Sequence, residues 1–273
     1  MTSGFSLEEN NNVKFIRIRE IDILRGFCIL LMFVDHFAFF ILKFDVFHWT
    51  EQSSTFLDAL IKLSKYFYSG NGRLIRDVIR YFVLDIYFII SGICCSFSKS
   101  NLKRSFKLAT VAISITLSMF FLSLIMKQDF NIYFGILHCY ASCVFIYWVI
   151  TKLPKKLFYP CLILLVLCSV IIGLLNPTLQ SSNILLPFGI PSATYSPAIE
   201  YDPIFPSIAI FVFGAILGKT LYKNKRPLCP ALEKIHHHPI SFVGQHGLIF
   251  YIAHIPILAI IVWILGVIAY CHI

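Results

Sequence analysis

Seven long apolar blocks, at about residues 26–43, 80–98, 108–126, 132–151, 158–175, 204–222 and 247–270, constrain this chain more than any other feature. A helix rising 1.5 Å per residue needs about 20 residues to cross a hydrocarbon core about 30 Å thick, and every block comes close to that length. Lipid offers no hydrogen-bond partner to a bare backbone, so blocks of this kind must be helices. The chain therefore reads as all-α, a polytopic transmembrane helix bundle of about seven spans. Composition closes off a soluble alternative. Hydrophobic residues make up 58% of the chain and charged ones 14%, against about a quarter in soluble domains.

The formal net charge is +9, and its distribution predicts topology. Lys14, Arg17 and Arg19 precede the first block; Lys99, Lys103, Arg104 and Lys107 fall between the second and third. Lys152, Lys155 and Lys156 fall between the fourth and fifth, and Lys219, Lys223, Lys225 and Arg226 between the sixth and seventh. Basic residues thus favour alternate loops, which puts the N-terminus in the cytoplasm and the C-terminus outside. Residues 44–79 break the pattern, because this outer loop carries Lys62, Lys65, Arg73 and Arg76. Anionic inner-leaflet lipid accounts for the basic balance, and no nucleic acid is expected. The first block lacks a small-x-small exit and reads as a retained signal anchor.

Residues 1–16 are polar and read as a disordered cytoplasmic tail ahead of a single domain over 17–273. Within 44–79, Phe56, Leu60, Leu63 and Phe67 recur at helical spacing and predict a helix lying on the outer surface. Pro177, Pro187, Pro191 and Pro197 predict a structured outer loop. His236, His237 and His238 read as a solvated run, and the cysteines inside the spans as small apolar packing residues.

An ionisable side chain at mid-bilayer costs roughly 2.5–3.5 kcal/mol, which makes each one a candidate functional residue. The first span places Asp22, Arg25 and His36 on one face, Arg25 and His36 being about three helical turns apart. Asp85 lies in the second span, His138 opens the fourth, and His254 lies in the seventh. Counted along the spans, His36, Asp85 and His138 belong to the outer half of the membrane, Arg25 and His254 to the inner half. Imidazole takes and returns a proton near neutral pH, and guanidinium grips phosphate through several hydrogen bonds. Protons, ions or an acyl group could all use such a path. The bland reading has Asp22 and Arg25 marking the membrane boundary and the histidines bridging helices.

Four stretches together resemble the heparan-α-glucosaminide N-acetyltransferase catalytic-domain family of transmembrane acyltransferases. They are Arg19-Glu20-Ile21-Asp22-Ile23-Leu24-Arg25-Gly26 with Asp35-His36, then Gly135-Ile136-Leu137-His138, then Glu200-Tyr201-Asp202-Pro203-Ile204-Phe205-Pro206 followed by Gly214 and Gly218. The last is Gly244-Gln245-His246-Gly247-Leu248 with Tyr251 and His254-Ile255-Pro256. The likeness runs from about 17 to 258 and departs from the family's pattern at Glu200, Ser207, Gly247 and Ile255.

The resemblance implies transfer of an acyl group, usually acetyl, from cytoplasmic acyl-CoA to a glycan or other hydroxyl or amine acceptor on the far side. The donor would be acetyl-CoA or another acyl-CoA, with no metal. Arg25, oriented by Asp22, would bind the CoA phosphates and His254 would line the donor path. His36 would be general base or acyl carrier, with His138 and Asp85 shaping the acceptor side and Glu200 and Tyr201 meeting the substrate. A bacterial plasma membrane is the implied location, with a homodimer allowed. The rival readings are a proton-coupled transporter or receptor, and an intramembrane zinc hydrolase using His36, His138 and His254. Gly214 and Gly218 read as helix packing.

Overall fold

The computed structural model describes residues 18–43, 55–127, 129–175, 183–196, 200–222, 227–233 and 238–271. The expected tail over 1–16, Pro177, Pro197, His236 and His237 lie outside them. The helices are α1 (Arg19–Lys43), α2 (Thr55–Ser69), α3 (Arg73–Phe97), α4 (Asn101–Met126), α5 (Ile136–Lys152), α6 (Lys155–Leu175), α7 (Ile204–Thr220), α8 (Pro230–Glu233), α9 (Pro239–Gln245) and α10 (Gly247–Cys271). A 3-10 turn over Asn183–Phe188 precedes α7, and no strand occurs among the described residues.

Among the described residues, five helices are long and apolar enough to cross a membrane: α1, α3, α4, α6 and α10. α5 and α7 are apolar but shorter, at 17 residues each, or about 25 Å. The bundle turns apolar side chains outward as well as inward, among them Leu117 and Leu124 of α4, Leu164 and Leu174 of α6, and Ile260 and Trp263 of α10. Such faces suit lipid and would be untenable in water. This is an integral membrane protein.

α7 is the central post, packed on α3, α5 and α6, with Ile208, Phe211 and Val212 fully enclosed. Its contact with α3 is backbone on backbone. A Cβ on Gly92 would fall 2.0 Å from the Phe211 carbonyl oxygen, and one on Gly214 would fall 2.2 Å from that of Ile89. Small residues allow this approach, and Gly214 and Gly218 serve helix packing. The short helix α9 seats on α1 in the same way, Gly26 against the Ile240 carbonyl and Gly244 against that of Asp22.

Helices α3 and α4 begin about seven residues before their apolar blocks, so Arg73, Arg76, Arg104 and Lys107 are helical rather than loop residues. Hydropathy misses such turns because long basic side chains carry their charge away from the helix axis or pair it. Pairing accounts for part of the charge in 44–79 that breaks the topological pattern. Arg76 makes a two-pronged ion pair with Asp35, at 2.6 and 3.1 Å, beneath the Tyr68 ring, and Arg73 pairs with Asp77. The helix expected in that loop is α2. Its Ile61 and Ser64 are buried while Phe56 and Leu63 stay exposed, and Tyr68 donates to the Asp35 carbonyl.

Candidate active site

A cavity of about 270 Å³ opens among α1, α3, α4, α5, α9 and α10. Arg25, Arg104 and Lys107 give it a cationic end. Arg25 is held in place from three sides. Its Nη1 donates to the Gly244 carbonyl at 3.3 Å and lies 3.5 Å from Asp22 Oδ1, while Nη2 reaches Cys94 Sγ at 2.9 Å. Gly244 must be glycine for this, since α9 could not otherwise lie close enough to offer its carbonyl. Arg104 Nη2 donates to the Tyr140 hydroxyl at 2.6 Å, and Nη1 lies 3.5 Å from Cys95 Sγ. Apolar side chains, among them Met32, Val83, Leu137 and Leu248, line much of the rest. Two guanidiniums and an ammonium at one end of an apolar chamber suit an anionic head on a less polar arm.

A second cavity, of about 10 Å³, lies toward the other end of the bundle, between Gly135, His138, Glu200 and Tyr251. Ile136, Leu137 and Tyr251 line both cavities, so these side chains are the partition between them. The wall is built where α5 and α7 begin. Ile136 N–H donates to Glu200 Oε1 at 2.6 Å, and Asp202 N–H to the Phe134 carbonyl at 3.1 Å. The non-helical backbone here is thus satisfied within the protein. Burial, and then the neighbouring Asp202 carboxylate, push the Glu200 carboxyl up to about 7. Burial also raises Asp202, and the Tyr251 hydroxyl pairs with Glu200.

The imidazoles of His36 and His254 meet edge to face, with centroids 4.9 Å apart. Each ring is tied to its own helix. His36 Nδ1 lies 2.8 Å from the Met32 carbonyl, and His254 Nδ1 contacts that of Tyr251. A carbonyl only accepts, so both Nδ1 atoms carry the hydrogen and both Nε2 atoms keep a lone pair. His254 Nε2 is buried with no hydrogen-bond partner among the described residues. Met32 and Tyr251, which anchor the two rings, both line the large cavity, so the pair stands one turn beyond its wall.

The structure brings some of the expected residues together and separates others. Asp22 and Arg25 form the expected pair. Residue counting predicts His254 in the opposite half from His36, whereas the two rings touch. Such counting ignores helix tilt and the lean of helical side chains toward the N-terminus. His36 itself lines neither cavity. His138 is engaged at both nitrogens, Nδ1 accepting from Gly135 N–H at 3.4 Å and Nε2 lying 3.3 Å from Thr116 Oγ1, and it fastens the start of α5. Asp85 is half-buried in α3 with no hydrogen bond or ion pair to a described residue. Glu200 joins the site, whereas Tyr201 donates to the Leu186 carbonyl at 2.7 Å and holds the 3-10 turn.

Arg104, Lys107 and Tyr251 are not among the site residues expected from the sequence, where the first two count only toward topology and the third only toward the family-like stretch. Hydropathy puts the first two in a loop; their spacing with Leu108 on a helix is the signal that could reveal an inward face. For the zinc reading, no group of three or more His, Cys, Asp or Glu suited to hold an ion occurs among the described residues.

No curated protein and no solved structure is detectably similar to the chain. The family model described as heparan-alpha-glucosaminide N-acetyltransferase, catalytic, matches residues 17–256. That range carries Arg25, His36, the partition between the cavities and His254, and this chain belongs to that family.

Proposed function

We propose that this protein is a membrane acetyltransferase that takes its acetyl group from acetyl-CoA in the large cavity and passes it to an acceptor at the Glu200 end. The observation that carries the reading is the cationic, otherwise apolar chamber that ends at a thin partition. Phosphate esters would meet Arg25, Arg104 and Lys107, with Asp22 and the Gly244 carbonyl aiming Arg25. The chamber is smaller than the roughly 300–1,000 Å³ pocket of a whole drug-sized ligand. It therefore suits the pantetheine arm and leaves the nucleotide at the mouth. By the positive-inside rule, the basic loops at the Arg25 end favour a cytoplasmic mouth, with seven spans in all.

The acceptor is an amine or hydroxyl, an amino sugar by analogy with the family's description. His36 stands one turn beyond the wall of the large cavity, and its Nε2 takes the acceptor's proton through an intervening water as the acceptor attacks the acetyl carbonyl, while His254 packs the ring in place. The test is transfer itself. Purified protein in lipid nanodiscs receives radiolabelled acetyl-CoA and glucosamine. Label is expected on the glucosamine nitrogen, and its absence with every amine and hydroxyl sugar tried would sink the reading.

A further inference from the structure

The partition between the cavities contains one hydroxyl. Ile136 and Leu137 are inert, and Tyr251 is the remaining side chain shared by both walls. It is also one turn before His254, so its ring position is fixed by the same helix that carries one of the paired imidazoles. On the far side it meets Glu200, whose Oε1 is already pinned by Ile136 N–H at 2.6 Å.

We infer that Tyr251 is the general acid of the transfer, giving its hydroxyl proton to the departing CoA sulfur and recovering it from the Glu200 carboxyl. The inference rests on the acetyltransferase reading and adds a residue and a role to it. Attack forms the bond between acceptor nitrogen and acetyl carbon, and the carbon–sulfur bond breaks with its electron pair on sulfur. The acceptor's proton goes to His36 Nε2. Sulfur takes the Tyr251 proton, and Tyr251 takes one from Glu200. His36 then releases its proton to solvent and Glu200 takes one back from solvent through the small cavity, so the cycle is balanced. A carboxyl held near neutrality suits this duty, since it is protonated often enough to give and basic enough to be refilled. The small cavity beside Glu200 has room for about one water, and His138 lines it. The charged and titratable groups facing Glu200 are Asp202 from its own segment, Arg80 of α3, His138 of α5 and Tyr251 of α10.

The test compares Y251F, E200Q and the double variant with wild type in nanodiscs, using radiolabelled acetyl-CoA and glucosamine. Y251F is expected to lose about 10²-fold in kcat, with KM for acetyl-CoA within about 2-fold. E200Q is expected to lose a similar factor, and the double variant no more than the worse single one. Wild-type kcat is expected to fall above about pH 7, as Glu200 loses its proton, and E200Q to lose this limb. Wild-type kcat in Y251F, a loss confined to KM, or multiplying losses would each overturn the assignment. If Y251F does not fold, an E200Q with unchanged kcat and pH profile overturns it. An inactive wild type refutes the acetyltransferase reading and takes this inference with it, whereas active wild type with active Y251F refutes the inference alone.

Discussion

His36 on α1 and His254 on α10 hold their rings 79° to each other, each anchored through Nδ1 to a carbonyl of its own helix. Each ring thereby keeps its lone pair on Nε2, turned away from its own helix's carbonyl. On the proposed mechanism H36Q removes the base, and it is expected to lower kcat by about 10²–10⁴-fold with little change in acetyl-CoA binding. H254Q, which loses only the supporting ring, is expected to lose less. Steady-state rates beside equilibrium binding of the donor decide it; an H36Q enzyme of wild-type kcat would remove His36 from the mechanism.

Arg25 and Arg104 line the same chamber from different helices. Each charge-assisted contact is worth about 1.5–3 kcal/mol. R25A and R104A are therefore each expected to weaken acetyl-CoA binding by about 10- to 100-fold, and to weaken dephosphorylated pantetheine binding little. Calorimetric titration of both ligands into nanodisc-embedded protein checks this. Equal losses for the two ligands would mean that the arginines hold the fold rather than phosphate.

Glu200 gives a stability prediction with a definite sign. Its carboxyl binds a proton more tightly in the folded protein, where burial and Asp202 hold it near 7, than in the unfolded chain near the ordinary 4.5. The stabilisation is present in full below the unfolded value and is lost as pH rises through about 7. Each tenfold difference in proton affinity between the two states is worth about 1.4 kcal/mol. The thermal midpoint of the purified protein should thus fall between about pH 5 and pH 8. E200Q should flatten that slope while keeping an acceptor for Ile136 N–H.

Two glycines should answer oppositely to alanine. A Cβ at Gly244 would fall 1.7 Å from the Asp22 carbonyl oxygen, so G244A must push α9 off α1. A loss of about 1–3 kcal/mol, or failure to fold, is expected, along with loss of the Arg25 contact to the residue 244 carbonyl. Gly173 in α6 has nothing within 4 Å of its would-be Cβ, and G173A should be neutral or stabilising by up to about 1 kcal/mol. Thermal midpoints in a mild detergent compare them.

Much of the fold is legible because lipid demands long apolar runs: each of the seven blocks holds a helix, and the Pro203-Ile204 boundary falls where expected, whereas α5 begins four residues inside its block. α9 is not, because its grip on α1 rests on two glycines that meet carbonyls from a distant segment. Arg104 is hidden for another reason, since a basic residue near a loop looks the same whether it faces water or a cavity. At the site, Asp22 with Arg25 can be read from a spacing of three on one helix. The meeting of His36 with His254 depends on the tilt of two helices, and no one-dimensional count contains it.

The partition shared by the two cavities has a mechanical consequence. A carrier must rock between two shapes to deliver cargo to the opposite compartment. Here the barrier is a few side chains deep, so on the proposed function a group handed across it would travel about the length of a tyrosine. Under such an arrangement the interlocked glycine contacts of α3 with α7 and of α1 with α9 never have to part, and the scaffold can stay rigid through every turnover.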